Sequence, residues 1–175
     1  MSKSESTKAH ILRHAFALAS ENGLESLTIG ALAKECGMSK SGLFAHFNAK
    51  DNLQLAVLAY ANEIFTHKVI APARAIVDGD IEAKIKRLLA YWLDWNHSFQ
   101  GRCMFIDSWK DPASATSVIQ HALQESIKVW IDYLSIQISK AIANQQFRAD
   151  LDPKQATFEL YGLYLSANVF YALQG

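Results

Sequence analysis

The chain has 175 residues, 50% of them hydrophobic and 19% charged, enough to bury a core either as one compact body or as a small head with a larger body. Three prolines and eight glycines argue against disorder and against a turn-rich sandwich, and no apolar run reaches the length that crosses a bilayer. Lysine plus arginine equals aspartate plus glutamate at 17 each, a net charge of zero that by itself speaks against a nucleic-acid partner.

The charge is unevenly placed, however. Residues 1–50 hold Lys3, Lys8, Arg13, Lys34, Lys40 and Lys50 against Glu5, Glu21, Glu25 and Glu35, an excess of two cations, with His10, His14 and His46 besides. The remainder carries the opposite excess, so the N-terminal segment is the electropositive end. The opening Met1-Ser2-Lys3-Ser4-Glu5 lacks the apolar stretch of a secretion signal, and a cytoplasmic protein without a membrane partner is expected. Cys36 and Cys103 have neither metal-ligand spacing nor a disulfide framework and read as ordinary thiols, with redox sensing at Cys103 the lesser alternative.

In chain order, every long segment has helical period. From Lys8 to Asn22, Ile11, Leu12, Ala15, Phe16, Leu18 and Ala19 recur at three- and four-residue steps, and Gly23 is a natural stop. Thr28 precedes a short helix to Cys36 with Ile29, Leu32 and Ala33 inward. Gly37 ends it, and Ser39 is a good cap for a third short helix through about His46. After Asn48-Ala49-Lys50-Asp51 a long helix is predicted from Asp51 to about Val69, striped by Leu53, Val57, Tyr60, Ile64 and Val69, with Pro72 near its end. Asp78-Gly79-Asp80 is a loop, Asp80 caps a helix to about Ser98, and Gly101 breaks it. A short helix over Cys103–Trp109, the punctuation Asp111-Pro112, and a long helix from about Ala115 to Gln145 follow. Asp152-Pro153 opens the last helix, Lys154 to about Leu173. With no strand signal and no repeat, the expected fold is all-α, a head over 1–50 and a helical body over 51–175.

In the head, the turn Gly37-Met38 is too short for an antiparallel hairpin, so the helices Thr28–Cys36 and Ser39–His46 must cross steeply as a helix-turn-helix. Met38 would tuck under the turn, and Leu12, Phe16 and Ala19 would complete a small core with Leu32, Leu43 and Phe47. Lys40, Ser41 and Gly42 sit near the N-terminus of the third helix, where small residues allow close approach and free amides favour phosphate. A recognition helix enters a major groove in this way. Thr28 and Lys50, at neighbouring helix starts, are placed for backbone phosphates, which fix register without reading sequence. On geometry alone, a merely structural helix pair remains open.

The residues then become more specific. Gly23-Leu24-Glu25-Ser26-Leu27-Thr28-Ile29, Ala31-Leu32-Ala33-Lys34-Glu35-Cys36-Gly37-Met38-Ser39, and Leu43-Phe44-Ala45-His46-Phe47-Asn48-Ala49-Lys50-Asp51-Asn52-Leu53 together resemble the N-terminal domain of the TetR family of bacterial regulators. The resemblance covers roughly the first third of the chain. It implies DNA binding as a homodimer, usually as a repressor released by a small ligand. With the geometry of the helix starts, the expected DNA contacts are Thr28, Ser39, Lys40, Ser41, Gly42, Phe44, His46 and Lys50. Phe44 departs from the family, which usually has a tyrosine there whose hydroxyl meets a phosphate. His46 matches the family's usual histidine, in either a structural or a phosphate-contacting role.

The resemblance fades after about residue 70. All four tryptophans, Trp92, Trp95, Trp109 and Trp130, lie in the body with Tyr91, Phe99, Phe105 and Tyr133. Aromatics from several helices either fill a core or leave a cavity whose polar edges orient a ligand. The expected effector site draws on Trp92, Trp95, Phe99, Cys103, Phe105, Trp109, Trp130 and Tyr133, for a small hydrophobic or aromatic molecule. His97, Asp107 and His121 are further polar candidates. No metal-ligand pair at helical spacing is present, and no cofactor is expected.

The last helix is apolar nearly all round, so it needs two partners: its own core and, by expectation, a second copy. Ile127, Trp130, Leu134, Phe158, Tyr161, Gly162, Leu165 and Phe170 form the expected interface, a four-helix bundle across a two-fold axis with Gly162 and Ser166 allowing close approach. The abrupt end at Gly175 suggests further residues beyond it. Two rivals stand beside this reading. An enzyme would have to draw on Asp94, His97, Asp107 and His121, which nothing fixes in one place. A helical interaction module of the same fold without DNA binding is kept open by the zero net charge and by Phe44.

Overall fold

The computed structural model describes residues 3–75, 79–98, 103–110 and 116–174, and within them the secondary structure is helical, without strands. The helices are α1 (Lys3–Asn22), α2 (Ile29–Glu35), α3 (Lys40–Phe47), α4 (Lys50–Phe65), α5 (Ala71–Arg74), α6 (Ile81–His97), α7 (Met104–Lys110), α8 (Ser117–Ala143) and α9 (Pro153–Gln174). The predicted breaks at Gly101 and Asp111-Pro112, the residue Phe99 and the side chain of His97 lie outside what is described. Two compact units result, one from Met1–Glu63 with Cys103–Ser126 and one from Ile64–Arg102 with Ile127–Gly175.

The first unit is built around the helix-turn-helix. Gly23, at φ 85°, stops α1, and a 3-10 turn over Leu24–Ser26 that the sequence did not signal follows. Thr28 caps α2, its Oγ1 accepting from the Ala31 amide at 3.1 Å. The turn closes on Gly37, at φ 62°: the Met38 amide donates to the Ala33 carbonyl at 2.8 Å and the Gly37 amide to Lys34 at 3.3 Å. These are the two bonds of a Schellman ending, and they need the left-handed residue that glycine supplies. Ser39 then caps α3, its Oγ accepting from the Gly42 amide at 3.0 Å.

The core of this unit takes Ile11, Ala15 and Ala19 from α1, Leu32 and Ala33 from α2, Leu43 and Phe47 from α3, and Leu53, Val57, Leu58 and Ala61 from α4. Of the three α1 residues expected in this core, Ala19 is buried there, while Leu12 and Phe16 only flank it, because the four-residue step 11–15–19 faces inward. Gln54 is a second surprise. It is buried, and its Nε2 donates to the Leu24 carbonyl at 3.0 Å and to Glu25 Oε1 at 3.5 Å, tying α4 to the 3-10 turn.

The predicted long helix to Val69 is also corrected. It leaves α-helical register at Phe65, passes through a π-turn over Thr66–Ile70, and resumes as α5. Pro72 lacks an amide hydrogen and its ring crowds the carbonyl four residues back, so an uninterrupted α-helix is disfavoured there.

In the second unit Asp80 caps α6 through a 2.9 Å bond from the Ala83 amide. Gln146 adds to that cap, its Oε1 accepting from the Ile81 and Glu82 amides at 2.9 and 3.2 Å. The predicted start of α9 is confirmed: Pro153 opens it and Asp152 Oδ1 accepts from the Gln155 amide at 2.8 Å. Ile85, Ile138 and Ala141 form a small core here, flanked by Ala156 and Leu160, so α6, α8 and α9 pack together.

Candidate functional site

In the head, α3 divides cleanly. Leu43 and Phe47 are buried, whereas Lys40, Ser41, Phe44 and Ala45 are exposed. Lys40 makes no ion pair among the described residues, and its aliphatic end lies across the first turn of α2: a Cβ on Gly30 would stand 3.2 Å from Lys40 Cε. Gly42 has an internal reason to be glycine beyond the expected close approach, since a Cβ there would stand 3.1 Å from the capping Ser39 Oγ. The Thr28 and Ser39 hydroxyl oxygens accept from the helix amides. Ser39 Oγ also lies 3.2 Å from Ser41 Oγ. A hydroxyl that accepts can still donate its proton outward, so capping leaves these groups able to meet an acceptor such as phosphate.

His46 is half-buried, its ring tilted 53° to that of Phe47 at 6.3 Å. Lys50, expected to meet a backbone phosphate, is ion-paired within its own unit. Its Nζ pairs with Glu25 Oε2 at 2.9 Å, both side chains being partly exposed. That partner, 25 residues back, carries no local signal in the sequence.

The second unit gathers aromatic rings from α4, α6, α8 and α9. Trp92 is central: it stacks on Tyr164 at 3.4 Å between centroids, meets Trp130 edge-on at 5.2 Å, and lies tilted against Tyr161 at 5.2 Å. Phe65 stands edge-on to both Trp95 and Trp130, at 5.5 and 4.9 Å, and Trp130 lies 5.9 Å from Tyr133. Arg74 and Lys84 approach the Tyr133 ring at 5.6 and 5.9 Å.

Four buried polar atoms in this unit lack a hydrogen-bond partner among the described residues: Trp130 Nε1, Tyr133 Oη, Gln137 Oε1 and Asn168 Oδ1. An unmatched buried polar group costs about 1–3 kcal/mol, so each is a point where a water or another molecule can complete the bonding. Three of them line one face of α8, at 130, 133 and 137.

The structure thus brings Trp92, Trp95, Trp130 and Tyr133 of the expected effector set into one cluster with Phe65, Tyr161 and Tyr164. Cys103, Phe105 and Trp109 belong to the first unit, where Phe105 flanks the core and Trp109 is exposed. Burial, and then the negative charge of Glu35, raise the Cys36 thiol above its ordinary pKa, which keeps it protonated and unreactive. Asp94 is exposed on α6, and Asp107 and His121 are exposed in the other unit. No group of three potential metal ligands occurs among the described residues.

On the face of α8 and α9, a groove of about 420 Å³ is lined by Ile131, Asp132, Ser135, Lys154, Thr157, Phe158, Tyr161, Gly162 and Leu165. Phe158 is 74% exposed, and Leu163, Val169, Phe170 and Leu173 also face outward. A Cβ on Gly162 would meet nothing within 4 Å, so no close approach inside this chain requires glycine there. Two residues of the expected interface are corrected: Leu134, 1% exposed, and Trp130, in the ring cluster, face the interior of their own unit because their turn of α8 points inward.

A capped helix-turn-helix with a polar and apolar outer face, followed by an all-helical body, defines the class of helix-turn-helix transcriptional regulators. The model for bacterial regulatory proteins of the tetR family matches residues 11–57, and that for the tetracyclin repressor-like C-terminal domain matches residues 82–175. The chain belongs to the TetR family of transcriptional regulators. It is similar in fold to a TetR-family regulator from Streptomyces coelicolor, with a TM-score of 0.78 at 22% identity over 97% of this chain and 85% of that one. AibR, solved in complex with isovaleryl coenzyme A and operator DNA, gives a TM-score of 0.70 at 22% identity over 97% and 89%. The fatty acid degradation regulator FadR from Bacillus halodurans gives 0.75 at 15% identity over 96% and 85%. No curated protein matches the chain. No described helix is long and apolar enough to cross a membrane.

Proposed function

We propose that the protein is a homodimeric repressor that binds a near-palindromic DNA operator in the cytoplasm and releases it on binding a small hydrophobic or aromatic effector. The head over 1–50 reads DNA and the body over 51–175 dimerises and senses. The observation that carries the DNA half is the outward face of α3, with Lys40, Ser41 and Phe44 beside the capped start at Ser39. Thr28, Ser41 and His46 meet phosphates, Gly42 keeps the α3 cap intact, and Lys50 joins when it exchanges Glu25 for a phosphate. AibR, of like fold, was captured with operator DNA and a coenzyme A thioester together.

The effector is assigned to the ring cluster of the second unit. Its apolar body would lie against Trp92, Trp95 and Trp130, and its polar groups would satisfy Trp130 Nε1, Tyr133 Oη and Gln137 Oε1. The second copy is assigned to the α8–α9 face, where Ile127, Phe158, Tyr161, Gly162, Leu165 and Phe170 meet their symmetry mates. Helix α4 leads from the head into the body, so an effector that alters its course alters the spacing of the two heads.

The test is selection of bound duplexes from genomic fragments, then affinity titration with and without acyl-coenzyme A thioesters, fatty acids and aromatic acids. Tight, salt-dependent binding that one such compound weakens is expected. A protein that retains no duplex would instead be an interaction module of the same fold, and tight binding that no compound shifts would remove the sensing half.

A further inference from the structure

Phe44 is a large apolar side chain that α3 holds out to solvent at 49% exposure. It does not fill the core of its own unit, a task done on α3 by Leu43 and Phe47. It shares its face with Lys40, one turn earlier, and with Ser41 and Ala45. A phenyl ring has no conventional hydrogen-bond donor or acceptor, so its main gain against a base edge is the burial of apolar surface. Among base edges in the major groove, the apolar feature is the C5-methyl of thymine.

Resting on the reading that α3 enters the major groove, we propose that Phe44 is a specificity-determining residue that packs its ring on a thymine methyl in each half-site. The flanking Lys40 fixes register through the backbone, while Phe44 reads a base. Burying one methyl contributes about fourfold in affinity per half-site. The operator therefore carries a thymine at the position facing Phe44, and the preference is for the methyl itself rather than for the pairing edge.

The experiment uses the full chain and a duplex selected by the wild-type protein. Each thymine is replaced in turn by deoxyuridine, which keeps the carbonyl and the pairing but lacks the methyl. One thymine per half-site is expected to show a roughly fourfold penalty, in the wild type and in Phe44→Tyr, which keeps the ring. In Phe44→Ala and Phe44→Gln the same replacement is expected to cost nothing, with thermal melting of both variants confirming the fold. Tight binding with no methyl-sensitive thymine, or a penalty that survives in the ringless variants, overturns the Phe44 contact and leaves the groove reading standing. A wild-type protein that selects no duplex overturns both.

Discussion

Glu25→Gln is expected to tighten operator binding, because it frees Lys50. In the free protein Lys50 Nζ sits 2.9 Å from Glu25 Oε2, with the two side chains 42% and 32% exposed. An ion pair this exposed is worth about 0.2–1 kcal/mol, which is what Lys50 forgoes when it turns to a phosphate. Removing the carboxylate thus raises affinity by about 1.4- to 5-fold per head, and by the square of that for a dimer. The salt slope serves as a control, because Lys50 meets the same phosphate in both proteins and the number of phosphates neutralised is unchanged. The side-chain amide oxygen introduced by the substitution can still accept from Gln54 Nε2, as Glu25 Oε1 does at 3.5 Å, so the 3-10 turn keeps its tether. Anisotropy titrations of a labelled operator over a salt series read both quantities. Affinity that falls or does not change refutes the idea that Glu25 holds Lys50 back from DNA.

Three further outcomes follow from the same geometry. Lys40→Met, which removes a cation without an ion-pair partner among the described residues, should weaken binding to all duplexes and flatten the salt slope by about 0.9 per head. Lys50→Met should do less, and equal effects in the same titrations would contradict the paired state of Lys50. Phe158→Glu places like charges on the proposed dimer face, and sedimentation should show monomers. The residue is 74% exposed in one chain, so the substitution should change monomer stability by no more than about 0.5 kcal/mol, and a persisting dimer would move the interface elsewhere. Gln137→Leu removes a buried, unmatched carbonyl and should stabilise the free protein by about 1–3 kcal/mol, read as a higher melting temperature, while abolishing the response to the effector. A variant that melts lower would show that Gln137 has a structural task instead.

The head was legible in the sequence because its determinants are local. Thr28 and Ser39 cap helices through amides three residues on, and Gly37 supplies a left-handed residue at the turn it terminates. The contacts that carried no signal in the sequence are long-range. The pairing of Lys50 with Glu25 and the burial of Gln54 against Leu24 join residues 25 and 30 apart, and no periodicity records which polar side chain will be enclosed there.

The body was legible in outline and illegible in its contacts, for a physical reason. Asp80 and Asp152 announce their helices, but the ring cluster is assembled from four helices. Phe65, Trp92, Trp130 and Tyr164 lie far apart along the chain yet meet within 3.4 to 5.2 Å. Aromatic content marks a candidate set, and only packing decides its members, which is why Trp109 and Phe105 left it while Phe65 and Tyr164 joined. The apolar circumference of α9 was a sounder signal, because a helix has two sides whatever it packs against. Tyr164 takes the inner side, in the ring cluster, and Phe158, Leu163 and Phe170 are left outward. Glycine at 162, which costs a helix interior roughly 1 kcal/mol relative to alanine and relieves no contact in its own chain, gains a purpose only if another surface comes close at that point.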